Sequence, residues 1–204
     1  RHLPFTTVLT DFGCGFNCPF CIYSGMPFKV RTVMNVCQEL AYVHSLGIKE
    51  LFIADQTFAF DRERAFWLCR EMVNNKWGFS WTCFLRANLV DSSLLSAMKE
   101  AGCHTVIFGV ESGSDAIIRK YKPGLSKQTI KEAFALCRRM KIATVGTFIL
   151  GFPEDDKETI EETIGFAKEL EADFASFNVF VPKPNTRFDK NLGEETRDQS
   201  GIAS

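Results

Sequence analysis

Apolar runs rich in β-branched and aromatic residues alternate with amphipathic segments along most of the chain. The runs predict strands at Thr6–Phe12, Glu50–Ala54, Ser80–Leu85, Thr105–Val110, Thr144–Leu150 and Phe174–Val181. Most are near-continuous rather than alternating, the pattern of parallel strands covered on both faces. The segments between them carry helix start and stop signals. Thr32 to Leu46 stops at Gly47, Asp61 opens a helix to about Lys76, and Asp91 opens one that ends at Ala101-Gly102. Ser126 opens a helix through Met140, Asp155 or Asp156 opens another through Leu170, and a short turn from Asp115 to Lys120 ends before Pro123-Gly124.

Strand–helix units recurring at about 30 residues predict parallel βαβ crossovers and an α/β fold. A closed eight-unit barrel typically takes about 250 residues. At 204 residues, an open partial (β/α)6 TIM-like barrel, with parallel strands inside and helices outside, fits better. A doubly wound open sheet is the alternative that pattern leaves standing. One domain over residues 1–188 is expected; residues 189–204 are polar and aperiodic, a loose tail or the start of a further region.

Composition changes this picture little. The net charge of -1 supplies no global field for nucleic-acid binding, and no stretch reaches the apolar length of a membrane span. The start, Arg1-His2-Leu3-Pro4, is neither a Met start nor a signal peptide, so the chain reads as part of something longer. Charge is locally uneven. Arg119 to Lys141 holds eight basic residues against one acid, and Glu154 to Glu171 holds eight acids against two lysines. Two outer helices that complement each other explain this, since no interleaved aromatics mark an RNA-binding face.

The cysteines change it most. Of eight, Cys37, Cys69, Cys83, Cys103 and Cys137 are scattered one per predicted element, as small core residues would be. With long helices present, a secreted disulfide scaffold is not expected, and the reducing cytoplasm is. Cys14, Cys18 and Cys21 instead share the loop Gly13-Cys14-Gly15-Phe16-Asn17-Cys18-Pro19-Phe20-Cys21, directly after the first strand. Loops at that end of a barrel carry its chemistry. Three thiolates at this spacing suit an iron–sulfur cluster, and three ligands on a [4Fe-4S] cluster leave one iron open to a cofactor or substrate. A structural zinc site needs four ligands, and neither His2, His44 nor His104 has the spacing to complete one.

The C-x3-C-x2-C motif with Phe20 before its last cysteine resembles the radical S-adenosylmethionine (SAM) superfamily. The resemblance extends from about Thr6 to Thr186 and implies a partial (β/α)6 barrel. It also implies a cluster on Cys14, Cys18 and Cys21 whose open iron is chelated by SAM, and reductive cleavage of SAM to methionine and a 5′-deoxyadenosyl radical that abstracts hydrogen from a substrate. Phe20 would then lie beside the adenine.

Asp55-Gln56-Thr57-Phe58 resembles an Asp-Asp-Thr-Phe segment of cobalamin-associated members, so that Asp55 or Gln56 would hold the SAM ammonium. A helix cap is the other reading of Asp55. Arg86, closing the third strand, could pair with the SAM carboxylate or form a surface salt bridge. Gly109-Val110-Glu111-Ser112-Gly113 resembles the fourth-strand segment of the same subgroup, with Glu111 toward the ribose or methionine end, or merely solvated beside a capping serine. Thr147 to Glu154 resembles a fifth-strand motif in which Ile149 contacts adenine, Gly151 lets the backbone turn over it and Glu154 braces the loop. Asn178 and Phe180 would lie near the adenine side, and Asn185 replaces the glycine of a Pro-x-Pro-Gly-Thr loop.

The subgroup implies cobalamin-dependent methylation or ring-forming chemistry on a small-molecule or biosynthetic-intermediate substrate, with a flavodoxin or ferredoxin as reductant. The chain has no Asp-x-His-x-x-Gly segment, so any cobalamin would come with a domain before Arg1. An RNA methylthiotransferase core and a structural metal-binding module are the competing readings.

Overall fold

A computed structural model of the chain describes residues 4–184 and Thr186. Asn185 and the tail 189–204 lie outside the described residues. The elements are β1 (Phe5–Val8), β2 (Asp11–Phe12), β3 (Lys29–Val30), α1 (Val33–Ser45), β4 (Glu50–Ile53), α2 (Arg62–Asn74) and β5 (Ser80–Leu85). After a 3-10 turn (Ala87–Leu89) follow α3 (Ser92–Glu100), β6 (Cys103–Glu111), α4 (Asp115–Tyr121), α5 (Lys127–Arg139), β7 (Ala143–Leu150), α6 (Lys157–Glu169) and β8 (Phe174–Val179).

Six strands form one parallel sheet in the order β1-β4-β5-β6-β7-β8. Each strand sits beside its successor, so the chain winds in one direction. A doubly wound sheet would reverse order at a switch point; this one does not, and the partial barrel is the architecture found. The first predicted strand is split. The chain leaves the sheet after Val8, and Asp11 and Phe12 pair antiparallel with Val30 and Lys29. No periodicity over two residues could announce that ladder.

The helices begin where capping chemistry places them. Thr32, Asp61, Asp91, Ser126 and Asp156 each accept a backbone N–H from three residues on. Asp156 completes a capping box with Thr159, which leaves Asp155 to receive the N–H groups of Gly151 (2.7 Å) and Phe152 (2.9 Å).

The central strands alternate in burial, unlike the two-sided cover their apolar runs suggested. In β5, Trp81, Cys83 and Leu85 are buried under the helices, while Ser80, Thr82 and Phe84 are half-exposed toward the inside of the open barrel. The core lies between sheet and helices. Phe108 packs on Phe134 at 5.0 Å between ring centroids, and the Trp81 indole donates to the Ala101 carbonyl at 2.8 Å. Cys69, Cys83, Cys103 and Cys137 are core residues here. Burial pushes the Cys69 and Cys137 thiols up to about 12, so they stay protonated and inert. The uneven charge resolves into pairs between neighbours: Lys131 with Glu169 and Arg138 with Glu171.

Phe134 is 1% exposed and fills the seam between α5 and β6. Phe134→Ala is expected to cost about 3–5 kcal/mol, read as a lowered urea midpoint at unchanged slope.

Candidate active site

The cysteine loop is closed at its base by the β2–β3 ladder, so residues 13–28 project as one unit from the end of β1. Two close approaches shape it. Gly13 has φ +78°, and a Cβ there would lie 2.4 Å from the Pro27 carbonyl oxygen. A Cβ on Gly15 would enter the Phe60 ring. That ring packs edge-on against Phe16 (5.1 Å) and Phe28 (4.7 Å), pinning the loop from the β4–α2 connection. Inside the loop, the Cys21 N–H donates to the Cys18 carbonyl at 3.0 Å and the Ser24 N–H to the Cys21 carbonyl at 2.9 Å.

Cys14, Cys18 and Cys21 are free thiols and line one pocket at the strand ends, together with Phe20, Gln56, Thr57, Arg86, Glu111, Lys122 and Thr147. Burial pushes the Cys21 thiol up; charge on Cys18 and Cys14 adds to this, and the Tyr23 backbone and Lys122 oppose it. The three sulfurs and the lysine therefore share one electrostatic environment. Among the described residues no three His, Cys, Asp or Glu side chains close around a single metal ion. A four-iron cluster takes its thiolates on separate irons, and three thiols spread along one pocket wall fit that requirement.

Asp55 does not face this pocket. It is fully buried and accepts the Thr10 N–H (2.6 Å), the Asp11 N–H (3.1 Å) and the Thr10 hydroxyl. Nor does it cap α2, which is Asp61's role. The buried Arg64 reaches the same turn, donating to the Thr10 hydroxyl (3.0 Å), the Thr10 carbonyl and the Arg31 carbonyl (3.0 Å). Gln56 and Thr57 form the pocket wall at this strand end.

Arg86 is buried, not a surface ion pair. It donates to Asn88 Oδ1 (2.9 Å), the Pro123 carbonyl and Cys18 Sγ (3.6 Å), with its guanidinium 4.2 Å from the Phe16 ring centroid. Glu111 is also buried rather than solvated. It ends β6 at φ +70°, where the register with β7 shifts. Its carboxylate receives Lys122 Nζ at 3.0 Å. The pair lies across Gly109, where a Cβ would come within 2.5 Å of Glu111 and 2.6 Å of Lys122. Lys122 had no motif to mark it; its position just after α4 and before Pro123-Gly124 was the available signal. Ser112 accepts the Ser114 N–H at 3.1 Å and contacts Thr163 at 3.2 Å, tying this turn to α6.

Phe20 joins the pocket to an aromatic cluster. It meets Phe152 (5.7 Å) and Tyr121 (6.2 Å) edge-on; Tyr121 stacks on Phe152 at 4.2 Å, and Phe180 lies 5.0 Å from Phe152. Ile149 packs against this cluster. Gly151, at φ +88°, turns the chain just beyond it, and Asn178 is exposed on β8 opposite Ile149. Glu154 receives the Tyr121 hydroxyl (2.7 Å) and Lys120, so it ties the β7–α6 loop to α4.

The sequence model of the Radical SAM superfamily matches residues 9–167. The chain belongs to this superfamily, whose members use a [4Fe-4S] cluster and SAM. An uncharacterized methyltransferase of Pyrococcus horikoshii is 38% identical over 189 residues, covering 91% of this chain and 41% of that protein. The anaerobic magnesium-protoporphyrin IX monomethyl ester cyclase of Cereibacter sphaeroides is 29% identical over 198 residues, covering 92% of the chain and 31% of that enzyme. The chain thus spans well under half the length of these relatives. In fold it resembles the radical SAM methyltransferase TsrM of Kitasatospora setae, with TM-score 0.86 at 20% identity over 94% of this chain and 39% of that one. No described helix is long and apolar enough to cross a membrane.

The acid layer under the loop makes a pH test. Asp11 is 2% exposed, and its Oδ1 has no hydrogen-bond partner among the described residues. Burial first, then the Asp55 carboxylate, raise its pKa to about 7, against a lowering by Arg64. The folded state therefore holds a proton that the unfolded chain releases near pH 4, and stability falls as pH rises from about 4 to 7. Asp11→Asn removes that dependence. Its thermal stability relative to the parent chain is expected to rise across this window and level off above it, as followed by circular dichroism.

Proposed function

We propose that this chain is the catalytic core of a larger radical SAM enzyme, extending over residues 1–188, in which Cys14, Cys18 and Cys21 hold a [4Fe-4S] cluster and the adjoining pocket holds SAM. The observation that carries the reading is one pocket in which three free thiols face a buried Glu111–Lys122 pair. When bound, the cluster and SAM supply an electron and a 5′-deoxyadenosyl group for hydrogen abstraction. The chain's own residues orient that cofactor. A carboxylate beside an ammonium matches the zwitterionic end of SAM with opposite sign: Glu111 accepts from its amino group, and Lys122 donates to its carboxylate. The Gln56 side-chain carbonyl adds an acceptor for the ammonium. Phe20 and Ile149, backed by Tyr121 and Phe152, offer an apolar surface for adenine, with the Gly151 turn above it.

The methyltransferase among the relatives supports a methyl-transfer reaction on a small biosynthetic intermediate, and the likeness to TsrM supports cobalamin held by a domain outside this chain. A flavodoxin or ferredoxin in a reducing cytoplasm is the reductant proposed.

The test is anaerobic reconstitution with iron and sulfide, then SAM and dithionite. Formation of 5′-deoxyadenosine is expected, with loss on replacing Cys14, Cys18 or Cys21 by Ala. A colourless zinc protein, or a brown one whose spectrum ignores SAM, sinks the proposal. Lys122→Met is expected to weaken SAM binding about tenfold or more, the loss of one charge-assisted bond of about 1.5–3 kcal/mol, measured by equilibrium binding to the oxidised protein.

A further inference from the structure

Arg86 does not have the geometry of a residue waiting for a cofactor's carboxylate. It is 4% exposed. All three guanidinium nitrogens have partners in the protein: Nε on Asn88, Nη2 on the Pro123 carbonyl and Nη1 on the Cys18 sulfur. Its face lies over the Phe16 ring, inside the cysteine loop. The amide, the carbonyl and the ring are neutral groups. They fix the plane and direction of the guanidinium without cancelling its charge, and the sulfur at 3.6 Å is the group toward which that charge is held.

We propose that Arg86 is a positioning residue for the cluster: its fixed cation on Cys18 raises the reduction potential of the iron–sulfur centre. This rests on the assignment of Cys14, Cys18 and Cys21 as cluster ligands. One electron, supplied by a low-potential donor, lowers the charge of the four-iron centre from 2+ to 1+. A positive charge held against a ligating sulfur favours the state with the extra electron. Burial keeps water from screening the interaction. Hydrogen bonds to cluster sulfurs and the local charge are the levers by which a protein sets such potentials, and an outer partner that orients a ligand is the usual means. The three anchors span the cysteine loop, the 3-10 turn after β5 and the α4–α5 connection. A change in any of them moves the charge relative to the sulfur.

The experiment is a redox titration followed by electron paramagnetic resonance. It uses the reconstituted chain and its Arg86→Gln and Arg86→Lys variants, without SAM, so that cofactor binding does not enter. Absence of iron–sulfur absorbance in the parent chain overturns the ligand assignment itself, before any variant is compared. With the cluster present, Arg86→Gln is expected to disfavour reduction at least tenfold, a shift of about 59 mV to more negative potential for one electron. Arg86→Lys keeps a charge but not the planar fork, and is expected to move the same way by less. If the Gln variant loads no iron, the Lys variant decides. A potential equal to the parent's in the variant that loads iron overturns the proposal.

Discussion

Asp55 receives two consecutive backbone N–H groups and a hydroxyl from the turn after β1, and that contact sets the direction of everything beyond it. Thr10 and Asp11 have left the sheet, so their N–H groups have no strand partner. A buried carboxylate is the acceptor that makes their departure affordable. Arg64, from α2, holds the Thr10 carbonyl and hydroxyl from the other side. The chain is thereby turned away from β4 and into the cysteine loop at a defined angle. Asp55, just past β4, and Arg64 of α2 thus aim a loop to which neither belongs. Burial of two carboxylates beside one guanidinium is costly, and the raised pKa of Asp11 is its trace.

From that anchor the site is assembled by strand ends. Singly wound parallel strands place their C-terminal ends at one mouth. The ends of β4, β5 and β6 then bring Gln56, Arg86 and Glu111 to the sulfurs from sequence distances of tens of residues. The cations are deployed differently. Arg86 is directed at a sulfur, and Lys122 is balanced against Glu111 across Gly109, where a Cβ would meet both charged ends. Electrostatically, the pocket sets one cation, Arg86, against a wall of thiols.

The aromatic cluster of Phe20, Tyr121, Phe152 and Phe180 couples the cysteine loop to α4 and to the ends of β7 and β8. Glu154 locks the same region through the Tyr121 hydroxyl. The adenine-side surface proposed for Phe20 is therefore a rigid wall rather than a single ring on a loop.

Local chemistry made the elements legible. Thr32, Asp61, Asp91 and Ser126 cap where a short polar side chain before an amphipathic run must cap, and β5 occupies the span its apolar run marked. The cysteine spacing was legible too, because three cysteines within eight residues are a local arrangement. Tertiary structure alone decided what the strand-end polar residues touch. Asp55 and Gln56 both lie in the turn after β4, where Asp55 went under the turn after β1 and Gln56 to the pocket, and no motif distinguishes the two. Arg86 met Cys18 because β5 and the loop after β1 converge in space. Lys122 met Glu111 because α4 returns the chain over the end of β6. Sequence order specifies which groups exist and in what local conformation; long-range packing selects their partners.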